Sequence, residues 1–179
     1  KLDLPFYLSP TALQRLFHHE GEMAVAKAAQ KFNTFFGISS LSTIPIEEIK
    51  SISSPKIFQL YFHKDKGLTN SMIDKCKSNN IDAIALTVDT ITGGNRERDI
   101  RTGFTSPPRL TLKSFLSFMF KPKWGLNYIF RKKFDLPFLS DSIKEGTDIK
   151  ISVSDYFTNM LDQNMSCLLY TSPSPRDWL

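Results

Sequence analysis

The sequence predicts an α/β fold, a parallel sheet with helices packed on its outside, on the basis of three observations. Apolar runs alternate with helical patterns over residues 4–89. The apolar runs are nearly continuous, which is typical of parallel strands covered on both faces. The alternation of strand and helix at this spacing favours successive right-handed βαβ units.

Four strands and three helices are predicted along this part of the chain. The predicted strands are LPFYLSP (4–10), FFGIS (35–39), KIFQLYF (56–62) and AIALTVD (83–89). The predicted helices are an alanine-rich segment (22–32), a short helix that Pro45 opens in IPIEEIKSI (44–52), and the amphipathic GLTNSMIDKCKSNN (67–80). Alanine is the strongest helix former, and proline is well tolerated in the first turn of a helix. Each helix lies between two strands, as βαβ units require.

All four predicted strands end in, or are followed by, small or hydrogen-bonding residues. These residues are Pro10, Thr11 and Ala12 after the first strand, Ser39 at the end of the second, Gln59 and Tyr61 on one face of the third, and Thr87 and Asp89 on one face of the fourth. In parallel α/β folds, ligands bind at the carboxyl ends of the strands. Helix caps and loop residues would explain any one of these strand ends, whereas for the four together a ligand site is an equally good explanation.

Composition and charge bound the class of protein. The 179 residues are 41% hydrophobic and 23% charged, which is ordinary for one globular domain. The net charge is +5, but residues 100–134 hold eight cations and no acid, so the basicity is local and unlike that of a nucleic-acid-binding domain. Cys76 and Cys167 form neither a disulfide framework nor a zinc spacing. No apolar run approaches the roughly 20 residues of a membrane span, and a cytoplasmic protein is expected.

An arginine-rich segment follows the fourth predicted strand. GGNRERD (93–99) places Arg96 and Arg98 among acidic residues, and Arg101 follows. An arginine beside a strand-end site would bind a carboxylate with two parallel hydrogen bonds. A run of solvated, mutually paired charges is the alternative, and spacing alone favours it. The two glycines do not form a phosphate loop, because the full glycine-rich pattern and a following Lys-Ser/Thr are missing.

Five motifs in register identify a family resemblance. They are SPTALQRLFHHEGE (9–22), ISSLST (38–43), FQLYFHKDKGLT (58–69), ALTVDT (85–90) and GGNRERDIRTGFTSPPRLTLKS (93–114). In this order they resemble the FMN-dependent 2-hydroxy-acid dehydrogenases and oxidases, which include glycolate oxidase and the flavin-linked L-lactate dehydrogenases. The resemblance runs from about residue 4 to Ser166. The last motif and the basic segment after it are most similar to the bacterial L-lactate dehydrogenases.

The resemblance implies a fold and a set of roles. The fold is a (β/α)₈ barrel with FMN at the carboxyl ends of the strands; this chain would supply about four βα units and a long insertion over residues 90–150. The implied cofactor-binding residues are Pro10, Thr11 and Ala12, whose backbone lies against the flavin ring, and Ser39, Gln59 and Thr87, which form hydrogen bonds to it. The implied catalytic residues are Tyr61 and Arg96, which bind the substrate, and Asp89, which pairs with a catalytic histidine. Such a carboxylate orients an imidazole and stabilises its protonated form.

The catalytic histidine of the family has no counterpart in this sequence. In the family it lies on a later strand, in a segment resembling SNHGGR, and no such segment occurs here. His63 follows Tyr61 in strand phase, but the family places other residues at that position. A barrel of this type needs about 250 residues. The chain is therefore predicted to be the N-terminal half of an enzyme that oxidises an L-2-hydroxy acid, L-lactate above all, and to be inactive alone. The electron acceptor (quinone, cytochrome or oxygen) stays open, and a homo-oligomer is expected for the complete protein.

The last thirteen residues differ in character from the rest. CLLYTSPSPRDWL (167–179) has no helical or strand periodicity and resembles translated sequencing-adapter read-through; a Ser/Pro-rich tail is the alternative. We therefore expect residues 1–166 to form the partial barrel and residues 167–179 to lie outside it.

A basic and aromatic segment leaves a second class of function open. LTLKSFLSFMFKPKWGLNYIFRKKF (110–134) interleaves cations with seven aromatic residues. Its aromatics would either pack over the barrel with the cations solvated, which we favour, or enter an anionic lipid surface at the inner face of the membrane. The second arrangement would suit electron transfer to a quinone. A non-catalytic membrane-surface binding module is the alternative function.

Overall fold

A computed structural model of the chain describes residues 2–89, 97–102, 116, 119–130, 136–139 and 159–164. Its centre is a parallel three-stranded sheet in the order β1-β2-β3. The strands are β1 (Phe36–Ser39), β2 (Lys56–Tyr61) and β3 (Ala83–Thr87). Strands that are consecutive in the chain are neighbours in the sheet, with a helix in each connection. The predicted α/β fold is confirmed.

Five helices accompany this sheet in the described part of the chain. They are α1 (Glu22–Lys31), α2 (Ile46–Ile49), α3 (Lys66–Ser78), α4 (Glu97–Thr102) and α5 (Pro122–Phe130), and a 3₁₀ turn (Gln14–Leu16) precedes α1. The first three confirm the predicted helices, although α2 is shorter than the segment predicted for it. Pro45 is its N-cap residue. Asp65 begins α3, because its side chain accepts hydrogen bonds from the backbone N–H groups of Gly67 and Leu68.

The prediction of a full strand over residues 4–10 is wrong. Only Leu8 pairs with β1: its N–H donates to the Phe35 carbonyl at 3.0 Å, and its carbonyl accepts from Gly37 N at 2.8 Å. Alternate residues donate in a parallel ladder, so the next donor would be residue 10. Pro10 has no N–H, which ends the ladder after one bridge.

The core lies between the sheet and the helices that cover it. Its members are Phe36 and Ile38 of β1, Phe58 and Leu60 of β2, Ala26 and Ala29 of α1, Ile46 and Ile49 of α2, and Leu68, Met72 and Cys76 of α3. Two later segments complete it. The Phe138 ring packs on Phe58 with 4.9 Å between centroids, and Leu161 is buried and forms an antiparallel bridge with His63, just after β2.

The third strand departs from the expectation of burial on both faces. Residues 83–85 are exposed and only residues 86–87 are half-buried. Within the described part of the chain, β3 forms hydrogen bonds with β2 alone and leaves its other edge open. Ile84 and Val88 are 41% and 47% exposed although their composition is that of a buried strand.

Candidate functional site

Three predicted site residues meet at the carboxyl ends of β2 and β3. Gln59 Nε2 donates to Thr87 Oγ1 at 3.0 Å and to the Tyr61 hydroxyl at 3.4 Å. Tyr61 and Thr87 are register partners, so their side chains leave the same face of the sheet side by side. All three are half-buried. The amide of Gln59 therefore orients one hydroxyl on each strand.

Asp89 lies close enough to this cluster to influence it. The pKa of Tyr61 is raised above its usual value, mainly because the phenol is partly buried and further because of the negative charge of Asp89; the hydrogen bond from Gln59 opposes this shift. The phenol is therefore a neutral hydrogen-bond donor at physiological pH. The Asp89 carboxylate itself is exposed just beyond β3.

Ser39 brings the carboxyl end of β1 beside the carboxyl ends of β2 and β3. It is the register partner of Gln59, it is buried, and its Oγ accepts a hydrogen bond from Leu41 N at 3.2 Å. The next residue, Ser40, has a fully buried hydroxyl with no hydrogen-bond partner in the described part of the chain. Buried hydroxyls usually have a partner, so the Ser40 hydroxyl, just past the carboxyl end of β1, is an exception.

The segment Pro10–Ala12 lies against β1 because of a glycine. A Cβ atom on Gly37 would sit 2.6 Å from Pro10 N and 2.8 Å from the Leu8 carbonyl oxygen, which no side chain could tolerate. Gly37 therefore allows the backbone of residues 8–10 to approach β1 closely. Thr11 is exposed and Ala12 is half-buried at the carboxyl-end side of the sheet.

Two buried residues near this edge were missed as site residues. Glu22, the first residue of α1, is 1% exposed, and its carboxylate accepts hydrogen bonds from Thr43 N and Thr43 Oγ1 at 2.9 and 2.6 Å. Glu22 and Thr43 both lie inside motifs that carry the family resemblance, and this resemblance is the sequence signal that could have identified them. Neither ends a strand, so the strand-end argument passed over them.

His63 does not point into the cluster. It is fully buried against α3, with Nδ1 3.4 Å from Thr69 Oγ1. Burial lowers its pKa to about 4, with Asp65 raising and Lys66 lowering the value by smaller amounts. Strand phase cannot be extended to it, because β2 ends at Tyr61.

The arginine-rich segment is described only in part. Arg96 lies outside the described residues, so its predicted contact with substrate stays a prediction. Arg101 forms an ion pair with Glu97 at 3.1 Å along α4, and both side chains are exposed. For this arginine the solvated, paired arrangement is the one observed.

The basic and aromatic segment is partly packed and partly exposed. Trp124 of α5 is half-buried, and its Nε1 donates to the Leu16 carbonyl at 3.0 Å. Large apolar side chains around it are exposed: Leu116, Met119, Phe120, Leu126 and Phe130. Among the described residues, no helix has both the length and the apolarity to cross a membrane. Residues 116–130 therefore combine one anchor with an apolar surface.

Comparison with known proteins explains this arrangement of strand ends. The family model of the FMN-dependent dehydrogenases matches residues 1–168. The chain belongs to this family. Its FMN dependence identifies FMN as the cofactor, and the three-stranded sheet is part of the (β/α)₈ barrel. The predicted resemblance is thus confirmed.

Individual members of the FMN-dependent dehydrogenase family differ in substrate. The chain is 41% identical over 116 residues to glycolate oxidase of Spinacia oleracea, covering 64% of the chain and 31% of that protein. It is 43% identical over 116 residues to an L-lactate oxidase of a Nostoc species, covering 62% and 32%. A crystal structure of the monotopic membrane protein (S)-mandelate dehydrogenase has a TM-score of 0.82 at 23% identity, covering 94% of the chain and 44% of that protein. The chain spans about a third of the length of the curated relatives it matches.

The residues at the carboxyl ends of the strands suit FMN. Gln59, Tyr61 and Thr87 offer N–H and O–H donors together with hydroxyl and carbonyl acceptors, and the polar end of a flavin ring carries both kinds of group. Pro10 and Ala12 have small side chains, so their backbone can approach a flat ring.

Proposed function

We propose that the protein containing this chain oxidises an L-2-hydroxy acid to the 2-keto acid with FMN, and that its main substrate is L-lactate, which yields pyruvate. The observation that carries the proposal is the cluster of Gln59, Tyr61 and Thr87 beside Asp89 at the carboxyl ends of two parallel strands, in a chain of an FMN-dependent family. The resemblance of the GGNRERD segment to the bacterial L-lactate dehydrogenases favours lactate, and the relatives include an L-lactate oxidase as well as glycolate oxidases.

Each residue is proposed to have one role. Tyr61, a neutral donor, binds the carboxylate or hydroxyl of the substrate, and Arg96 binds the carboxylate. A catalytic histidine takes the proton of the substrate hydroxyl. Asp89 accepts a hydrogen bond from this histidine and stabilises its protonated form. FMN, when bound, would supply the acceptor for the two electrons that leave the substrate. The cofactor contacts are Ser39, Gln59 and Thr87 by hydrogen bonds and Pro10, Thr11 and Ala12 by backbone packing.

The 179 residues alone are proposed to be inactive. Asp89 is exposed, and the sequence holds no SNHGGR-like segment to supply the histidine it would orient. An FMN bound only by three strand ends would also be exposed to water. We expect these residues to neither hold FMN tightly nor reduce it.

The test uses the complete natural protein, prepared with FMN and mixed anaerobically with L-lactate, glycolate or (S)-mandelate. We expect L-lactate to bleach the visible flavin absorbance fastest and to yield pyruvate. D-lactate is the control and should leave the flavin oxidised. Faster reduction by another acid would overturn the lactate assignment, and no reduction by any 2-hydroxy acid would overturn the function.

We further propose that residues 110–134 rest on an anionic membrane surface. Five large apolar side chains between residues 116 and 130 are more than half exposed, up to 82% for Phe120. Lys121 and Lys123 follow Phe120 and are also exposed, and residues 100–134 contain no acid. Interfacial segments combine these features, because the apolar side chains enter the lipid while cations meet the headgroups.

Vesicle sedimentation tests this contact. The complete protein should sediment with vesicles containing phosphatidylglycerol and stay free with phosphatidylcholine alone. Phe120→Ser should weaken this binding several-fold. Phe32→Ser is the matched control, because Phe32 is also an exposed phenylalanine beside a lysine but lies at the end of α1. Equal loss from the two variants, or no binding at all, would rule out a specific surface at residues 110–134.

A further inference from the structure

Three successive backbone amides anchor the chain directly after Pro10–Ala12. Leu13 N donates to the Leu41 carbonyl at 3.1 Å, Gln14 N to Glu22 Oε1 at 3.4 Å, and Arg15 N to Thr43 Oγ1 at 3.2 Å. All three acceptors lie on α1 or on the loop after β1. The segment that carries the proposed flavin contacts is thus tied to the neighbouring loop residue by residue.

Glu22 is the centre of this arrangement. Its carboxylate is almost completely buried, and besides Gln14 N it accepts from the backbone N–H and the hydroxyl of Thr43. A buried carboxylate is costly unless hydrogen bonds satisfy it, and bonds to a charged acceptor are stronger than neutral ones. Thr43 Oγ1 in turn accepts from Arg15 N. One carboxylate therefore holds both loops, directly and through Thr43.

Leu13 supplies an independent sign that this loop conformation is imposed. Its φ is 56°, in the left-handed region that residues other than glycine rarely adopt. Such strain persists only where the surroundings fix the backbone, and it concentrates at functional sites. The strained residue is the one immediately after Ala12.

We propose that Glu22 is a positioning residue for the flavin, acting through Thr43 and the amides of residues 13–15 to fix the backbone of Pro10, Thr11 and Ala12 against the ring. Glu22 touches neither substrate nor cofactor in this proposal. The inference rests on the proposed function, because only a bound flavin gives residues 10–12 a ligand. It assigns the buried carboxylate a role beyond fold stability.

The test compares threonine variants of the complete protein. Thr43→Val removes the hydroxyl that joins Glu22 Oε2 to Arg15 N, whereas Thr43→Ser keeps a hydroxyl at this position. Thr69→Val is the control, since Thr69 is equally buried and its hydroxyl bonds to the His63 amide N–H in another part of the fold. Two quantities are measured: the FMN dissociation constant of the apoprotein, from flavin fluorescence, and amide exchange over residues 13–15 without FMN.

We expect Thr43→Val to raise the FMN dissociation constant about tenfold and to speed exchange at residues 13–15, since it breaks a hydrogen bond to a buried charge. Thr43→Ser should stay near wild type, and Thr69→Val should lower the melting temperature without changing FMN affinity. If Thr43→Val does not fold, Glu22→Gln is the milder variant and should shift both quantities the same way.

The outcomes separate the two proposals. If wild type binds FMN and Thr43→Val affects affinity no more than Thr69→Val does, Glu22 is an ordinary structural carboxylate and the inference is overturned while the function stands. If wild type does not bind FMN at all, the proposed function fails and the inference fails with it.

Discussion

At the scale of single residues, the candidate site depends on one amide group. Gln59 donates to hydroxyls on both strands, and its carbonyl oxygen can accept a further hydrogen bond because neither of these two bonds uses it. Tyr61 is held in place by that bond, and its raised pKa keeps it protonated. Its hydroxyl is therefore the group whose removal should affect substrate binding most directly.

Replacing Tyr61 by phenylalanine in the complete protein should raise KM for the 2-hydroxy acid about tenfold, the effect of one lost hydrogen bond to a charged group. Steady-state kinetics with L-lactate provide the measurement. Tyr7→Phe is the matched control, since Tyr7 is exposed at 55% and lies before Pro10. A KM within twofold of wild type for Tyr61→Phe would remove the tyrosine from the substrate site.

His63 should make the fold sensitive to acid. Its pKa is about 4 in the fold and 6.5 in an unperturbed histidine, so the unfolded chain binds a proton between these values while the folded chain does not. The stability contributed by the neutral form is complete above pH 6.5 and is lost as the pH falls towards 4, in total about 3 kcal/mol.

Urea unfolding between pH 7 and pH 4 measures this loss. His63→Gln should flatten the dependence on pH in that window, although it lowers stability at neutral pH by disturbing the contact with Thr69. His18→Gln is the control variant, because it removes a histidine from the exposed surface. Equal slopes for wild type and His63→Gln would show that another group titrates.

At the scale of elements, the beginning of α3 offers the cleanest test. Asp65 Oδ1 accepts from Gly67 N at 2.8 Å and from Leu68 N at 3.3 Å, which satisfies two N–H groups at the helix terminus. Asp65→Ala should lower the free energy of unfolding by about 1 kcal/mol. Asp65→Asn keeps the acceptor and should cost much less. Chemical denaturation decides between them, and equal effects would exclude the cap as the cause.

The elements were predictable where a local pattern and tertiary packing agree. Helices α1 and α3 have strong formers and clear ends, and β2 has an apolar run that only Gln59 interrupts, so all three were found within a few residues. The strand over residues 4–10 was wrong because composition does not reveal which N–H groups a ladder needs, and Pro10 lacks one. The exposure of β3 was also not predictable, since burial depends on what packs against a strand.

At the scale of the whole molecule, sequence reasoning located the candidate site at the carboxyl ends of the strands but not the contacts within that site. Strand phase paired Gln59 with Tyr61 and Thr87 with Asp89, and the parallel arrangement brought those pairs together. Phase alone could not show that Gln59 bonds to both hydroxyls, nor that Glu22 and Thr43 tie two loops together, because those contacts join residues far apart in the chain. The domain bounds, including the insertion over residues 90–150 and the segment 167–179, stay a prediction.

The open edge of β3 leads to the last prediction, which concerns the 179-residue chain itself. Within the described residues, β3 pairs only with β2, and Ile84 and Val88 expose apolar surface beside unpaired backbone groups. Such an edge is a template for pairing with another chain. We expect sedimentation velocity to show self-association that grows with concentration in the micromolar range. Ile84→Lys should weaken it, because a charge on an edge strand opposes pairing, whereas Phe32→Lys on α1 should not. A chain that stays monomeric at every concentration would mean that the edge is already covered.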